Sequence, residues 1–93
     1  MTLTQLRYII EIVRRGSIST AAKALFITQP SLSKSVTELE KEMGITIFRR
    51  TNRGVVLSEE GVKFLSYARQ VVEQADLLEH RYKDSSAIHH TFS

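Results

Sequence analysis

Two apolar-periodic segments set close together, with a single proline opening the second, constrain this chain more than any other feature. They occupy Ser17 to Met43, SISTAAKALFITQPSLSKSVTELEKEM. Ile18, Ala21, Ala22 and Leu25 repeat at i, i+3, i+4 and i+7, which predicts one face of a short helix, and Ser17 is placed to cap it. After Phe26 and Ile27, Thr28 can cap a second helix. Pro30 fits its first turn, where the missing N–H would have no intrahelical acceptor anyway. Leu32, Val36, Leu39 and Met43 then fall on one side, with Lys34, Thr37 and Lys41 opposite. A helix anchored by that stripe turns a hydrogen-bonding face outward. This is the layout of a helix-turn-helix, whose second helix enters the major groove of DNA and reads base edges from its N-terminal end. The small pair Ala21-Ala22 suits two helices crossing steeply. An αα-hairpin with no DNA role remains the alternative for this stretch taken alone.

Charge sharpens the reading. Residues 1–57 hold nine Lys/Arg against four Asp/Glu, and residues 58–93 hold four against six. The excess of positive charge therefore lies in the half that carries the helix pair, as expected of a module whose first part meets a polyanion. Ninety-three residues are enough for one core but not for a large substrate cavity. Cysteine is absent, and no apolar run reaches the roughly 20 residues a bilayer-spanning helix needs. The expectation is a soluble, cytoplasmic protein with no membrane partner. An enzyme is disfavoured: no Ser/His/Asp set is in prospect, because all three histidines lie beyond residue 79. The adjacent His89 and His90 supply no complete metal-ligand set.

On either side of the central pair the chain reads simply. Thr2 and Gln5 have the spacing of a capping box. Leu6, Ile9, Ile10 and Val13 follow at helical spacing, and Gly16 after Arg14-Arg15 is a stop, predicting a supporting helix over about residues 3–15. Tyr8 and Arg7 are expected to face outward. Beyond Gly44 the period changes. Ile45-Thr46-Ile47-Phe48 and Val55-Val56-Leu57 read as strands around Arg49-Arg50-Thr51-Asn52-Arg53-Gly54, a small hairpin with three arginines at its tip. Beside DNA each arginine can meet phosphate or a narrow minor groove, which would make the hairpin a wing; a basic solvent-facing loop is the alternative. Ser58 then caps a long helix with Glu59 and Glu60 in its first turn. Phe64, Ala68, Val71, Ala75, Leu78 and Tyr82 alternate spacings of four and three, widened by Leu65 and Val72. To Asp84 this helix would be about 39 Å long, more than a small domain can cover. The stripe therefore predicts a homodimer seam about a two-fold axis, with folding back onto its own domain as the alternative. Residues 85–93 look like an unstructured tail.

These pieces together resemble a known family. QLRYI, GSISTAAKAL, ITQPSLSKSVTELE and MGITIFRRTNRGVVLSEEG, in order and without gaps, are similar to the N-terminal DNA-binding domain and linker helix of LysR-type transcriptional regulators, over Leu3 to about Leu78. The resemblance implies a mainly α fold: a winged helix-turn-helix over residues 1–58 (three-helix core plus β-hairpin wing), then a dimerisation or linker helix over 59–84. It implies bacterial regulators that bind interrupted palindromic sites near promoters as dimers and carry a C-terminal effector domain for a small molecule. That domain is not in this sequence, so a DNA-binding fragment with no cofactor of its own is expected. Carried over residue by residue, Gln29, Pro30, Ser31, Ser33 and Lys34 would stand at the DNA-facing start of the recognition helix. Gln29 would offer donor and acceptor to a base edge, and Thr28, Ser33 and Lys34 would hold phosphates or neighbouring bases, with Thr37 on the same face. Arg50 and Arg53 would reach the minor groove, and Ser17 and Thr20 the backbone. Lys34 stands where arginine is commoner, Met43 replaces a usual leucine, and Arg49 adds a charge. A reading of another class, a protein-interaction module built on the long helix with an incidental basic wing, stays open.

Overall fold

Thr2 and Gln5 satisfy each other's backbone at the start of the first helix: the Gln5 N–H donates to Thr2 Oγ1 at 3.1 Å and the Thr2 N–H to Gln5 Oε1 at 3.0 Å. The structure is a computed structural model that describes residues 1–90, with side-chain environments through Lys83. Among the described residues the elements are α1 (Leu3–Arg15), α2 (Ile18–Ala24), α3 (Gln29–Met43), β1 (Phe48–Thr51), β2 (Gly54–Leu57) and α4 (Glu59–His90). Helix α1 ends at Gly16, whose φ of 74° and N–H bond to the Ile12 carbonyl close the last turn.

Ser17 and Thr28 cap the next two helices by accepting the N–H groups of Thr20 and Ser31, each at 3.2 Å. Ala21 and Ala22 are buried, and with no side chain beyond Cβ they let α1 and α3 close on α2. Leu6, Ile9 and Ile12 of α1 and Leu32, Val36 and Leu39 of α3 supply the buried faces. Met43, expected on the α3 stripe, is exposed instead. It lies in the last turn, where Gly44 takes a φ of 70° and the chain leaves the helix before the stripe can be covered.

The wing is shorter and later than the β-branched run suggests. Ile45–Ile47 do not form a strand; β1 begins at Phe48 and pairs antiparallel with β2 in the register Phe48↔Leu57, Arg49↔Val56, Arg50↔Val55 and Thr51↔Gly54. The reason is local. The Ile47 and Phe48 N–H groups donate to Glu40 Oε2 at 2.6 and 3.2 Å, and the Ile47 carbonyl accepts the Ser58 N–H at 2.9 Å. The backbone is thereby satisfied without a ladder partner, and the Ile47 side chain is fully buried.

Ser58 is buried, accepts the Gly61 N–H at 2.9 Å and donates to the Thr46 carbonyl. It fixes the base of α4 to the strand-free segment before the wing. The helix then runs to His90, beyond the end expected near Asp84. No glycine or proline follows Gly61 in the sequence, so nothing intrinsic stops the helix there. The expected tail from residue 85 is helical as far as 90; residues 91–93 lie outside the described residues.

The seam expectation divides in two. Leu65 joins the main core, and Ala68 and Val72 pack with Leu6 of α1 in a satellite cluster flanked by Ile10 and Phe64. Leu65, Ala68 and Val72 are therefore intrachain core and have little surface left for a partner, because α1 lies along the first half of α4. Val71, Leu78 and Tyr82 stay exposed and Ala75 half-buried. Tyr8, expected outside, packs against the core. Arg7 bonds Asp76 Oδ1 at 2.8 Å and so links α1 to α4.

Candidate nucleic-acid interface

The N-terminal end of α3 is the most open part of the helical core. Thr28, Gln29, Pro30 and Ser31 are exposed in succession, followed on the same helix by exposed Lys34 and Thr37, with Ser33 half-buried between them. The first-turn N–H groups there have few acceptors inside the helix, and the positive end of the peptide dipoles points outward with them. Gln29, Pro30, Ser31 and Lys34 project from this end. Three of the other expected contacts also have structural work. The Ser17 hydroxyl caps α2, the Thr28 hydroxyl caps α3 and donates to Ser31 Oγ at 2.8 Å, and the Thr37 hydroxyl donates to the Ser33 carbonyl at 3.0 Å. Each hydroxyl is held in one orientation by its bond, which preorganises whatever it presents to a ligand. Ser17 is half-buried and Thr20 exposed.

The wing stands beside α3, and a cleft of about 90 Å³ lies between them, lined by Ser33, Thr37, Glu40, Phe48, Arg50 and Val55 among others. The three wing arginines are not together at a tip, as the sequence suggested. Arg49 and Arg50 are consecutive residues of β1, so they leave opposite faces of the ribbon, and Arg50 lines the cleft toward α3. Arg53 alone of the three occupies the two-residue turn between Thr51 and Gly54. Among the described residues the ion pairs engage the chain terminus, Arg7, Arg14, Arg15, Lys63 and Lys83. Lys34, Arg50 and Arg53 are in none of them, so their charge is available to an anion.

The helix pair, the free cations beside it and the ribbon match the family described as "Bacterial regulatory helix-turn-helix protein, lysR family" over residues 3–62. The chain belongs to the LysR family. Among its LysR relatives, ClcR of Pseudomonas putida, an HTH-type transcriptional regulator, is 36% identical over 92% of this chain. BudR of Klebsiella aerogenes, named likewise, is 42% identical over 82% of it. The match covers 29% of ClcR and 53% of BudR, so the chain spans a minor part of the first and about half of the second. Among solved structures, CbnR_DBD in complex with DNA superposes with a TM-score of 0.85 at 31% identity, over 92% of this chain and 99% of that one. BenM_DBD bound to the catB site 1 DNA gives 0.87 at 35% identity, over 96% of each. The LysR winged-helix fold expected from the sequence is thus the fold observed.

Sequence reasoning gave no role to four residues that the structure singles out. Glu40 ties the wing to α3, and nothing in a helix-face carboxylate announces that. Arg7 pairs with a residue 69 positions away. Gly61 carries no sequence sign of a close approach, yet a Cβ there would lie 2.1 Å from the Ile47 carbonyl oxygen. Phe26, in the turn, has a φ of 58° and is 94% exposed. The signal for Phe26 was present as an absence, since the turn after α2 contains no glycine.

Proposed function

We propose that this chain binds a specific site in double-stranded DNA as a homodimer and is the DNA-binding part of a bacterial transcriptional regulator. The observation that carries the reading is the exposed N-terminal end of α3, standing beside cations that have no ion-pair partner among the described residues. In this reading Gln29 meets a base edge, with Pro30 and Ser31 close beside it. Lys34 and Ser33 hold phosphate or a neighbouring base, Thr37 lies along the same face, and Thr20 meets the backbone beside the caps Ser17 and Thr28. Arg50 and Arg53 reach from the wing toward the minor groove. The superposable CbnR_DBD and BenM_DBD structures contain DNA, which supports the assignment of the ligand class.

The dimer part of the proposal rests on α4. Val71, Ala75, Leu78 and Tyr82 recur at spacings of four, three and four, with Val71, Leu78 and Tyr82 exposed. An apolar row of this kind on a helix that outruns its own domain is best covered by the same row of a second copy. Two copies related by a two-fold axis would read an interrupted palindrome near a promoter. A full-length regulator would add an effector domain for a small molecule, and such a protein acts in the cytoplasm, where bacterial DNA lies. Among the described residues no helix is long and apolar enough to cross a membrane.

Selection of bound sites from a random duplex pool tests the reading. The expected result is a motif with two related half-sites separated by a fixed spacer. No enrichment, together with no shift of random duplex at low salt, would favour a protein-interaction module built on α4 instead.

A further inference from the structure

The turn after α2 closes in a way that ordinarily asks for glycine. The Phe26 N–H donates to the Lys23 carbonyl at 3.2 Å, and the Ile27 N–H reaches back to the Ala22 carbonyl at 3.0 Å. This pair of bonds is the Schellman closure of a helix, and Phe26 occupies its left-handed position with a φ of 58°. An L-residue with a bulky side chain is strained there. The strain is not offset by packing: at 94% exposure Phe26 has the least cover of the large apolar residues outside the core among the described residues. Neither the turn nor the core therefore accounts for a phenylalanine. Strained residues of this kind that survive in a fold cluster at ligand-binding positions.

Phe26 sits two residues before the cap Thr28 and three before Gln29, in a run where Thr28, Gln29, Pro30 and Ser31 are all exposed. We propose that Phe26 is a DNA-contacting residue whose ring lies against the deoxyribose of the strand bordering the groove that α3 enters. This inference rests on the DNA-binding reading of α3. Duplex DNA offers an uncharged ring two apolar surfaces, the sugar and the thymine methyl. Base edges are read from within the first turn of the recognition helix. A residue outside the helix, on the turn leading into it, is placed for the flanking strand. The contact would add affinity without sequence preference, and without charge it would add nothing to counterion release.

The test compares the unaltered chain with Phe26→Asn, which suits the left-handed backbone, and Phe26→Tyr, which keeps the ring. Binding is measured by fluorescence anisotropy on a selected site and on random duplex across a range of salt, alongside thermal melting of each protein. Phe26→Asn is expected to melt at the same or a higher temperature and to bind both duplexes about fivefold to tenfold more weakly. The slope of log K against log salt should not change, and Phe26→Tyr should bind as the unaltered chain does. Unchanged affinity for Phe26→Asn overturns the inference. So does a loss confined to the selected site and reproduced by uracil in place of thymine, which would make Phe26 a base reader. So does a lowered melting temperature in both variants, or a changed oligomeric mass, which would make it a structural or interface residue. If the unaltered chain binds neither duplex, the underlying DNA-binding reading fails; if it binds and Phe26→Asn binds equally, Phe26 alone is removed.

Discussion

Glu40, near the end of α3, accepts the Ile47 N–H at 2.6 Å through the same carboxylate oxygen that takes the Phe48 N–H. One side chain thereby couples the helix proposed to read bases to the ribbon proposed to hold the minor groove. The bond is charge-assisted and the donor belongs to a buried residue, so its loss leaves an N–H without a partner. Glu40→Ala is expected to cost about 1–3 kcal/mol in unfolding free energy by urea titration. An unchanged midpoint would mean that the wing is held by the core contacts of Ile47 alone.

The roles proposed for Gln29 and Arg53 separate base reading from phosphate or groove attraction. Gln29→Ala should lose about 1–3 kcal/mol on the selected site and little on random duplex. Arg53→Ala should weaken both and reduce the salt slope by about one. Equal losses on the two duplexes for Gln29→Ala would remove its assignment to a base edge.

Gly61 is fixed by contact rather than by backbone angle. Its added Cβ would lie 2.1 Å from the Ile47 carbonyl oxygen, the backbone atom that accepts the Ser58 N–H, so the nearest obstacle is main chain and not the far end of a flexible side chain. Gly61→Ala is expected to destabilise the domain by about 1–3 kcal/mol, read as a lower midpoint in chemical unfolding with no change in the cooperativity of the transition.

The Arg7–Asp76 pair gives a sign for pH. The Arg7 guanidinium, chiefly through its hydrogen bond, holds the Asp76 carboxyl below the ordinary carboxylate range, and the bond to Asp76 raises Arg7 in turn. A carboxyl with a depressed folded-state pKa contributes stability above its unfolded pKa, and that contribution is lost as pH falls through the folded value. Both groups are exposed, so the effect is small. Asp76→Asn should lower stability slightly at neutral pH, and the gap from the unaltered chain should close on acidification below the carboxylate range. A gap that persists unchanged in acid would assign the effect to packing.

Leu78 is 60% exposed, so Leu78→Asp should leave the stability of the single chain within about 0.5 kcal/mol. Light scattering should then give the mass of one chain, near 10.6 kDa, where the unaltered protein, as the proposed dimer, should give twice that. A dimer that survives Leu78→Asp would place the contact elsewhere.

Much of the fold was legible because its signals are local. Thr2, Ser17, Thr28, Gly16 and Gly44 each mark a helix end within four residues of the bonds they make, and the apolar stripes of α1 to α3 lie on short helices with one neighbour side. What escaped depended on distant or competing partners. Ile45–Ile47 carried a strand composition, but Glu40 and Ser58 took the backbone bonds that a strand would have used. The stripe on α4 read as one seam because a helical period cannot tell which chain covers it; α1 takes Leu65, Ala68 and Val72 and leaves Val71, Leu78 and Tyr82. Of the candidate interface, the exposure of Gln29, Pro30, Ser31 and Lys34 on α3 was legible, because it follows from the helical period. The arginines were placed on the right ribbon and at the wrong positions, since shifting the strand start moves Arg49 and Arg50 from turn to ladder.

Ser58 and the close approach at Gly61 clamp the foot of α4 against the same segment that Glu40 clamps to α3. The rod and the helix proposed to read bases therefore share one mechanical joint. In a pair of chains joined along α4, the distance between the two reading heads would be set by how the rods cross. Exchanging the side chains at the start of α3 would rewrite the letters recognised while leaving the gap between half-sites where it was.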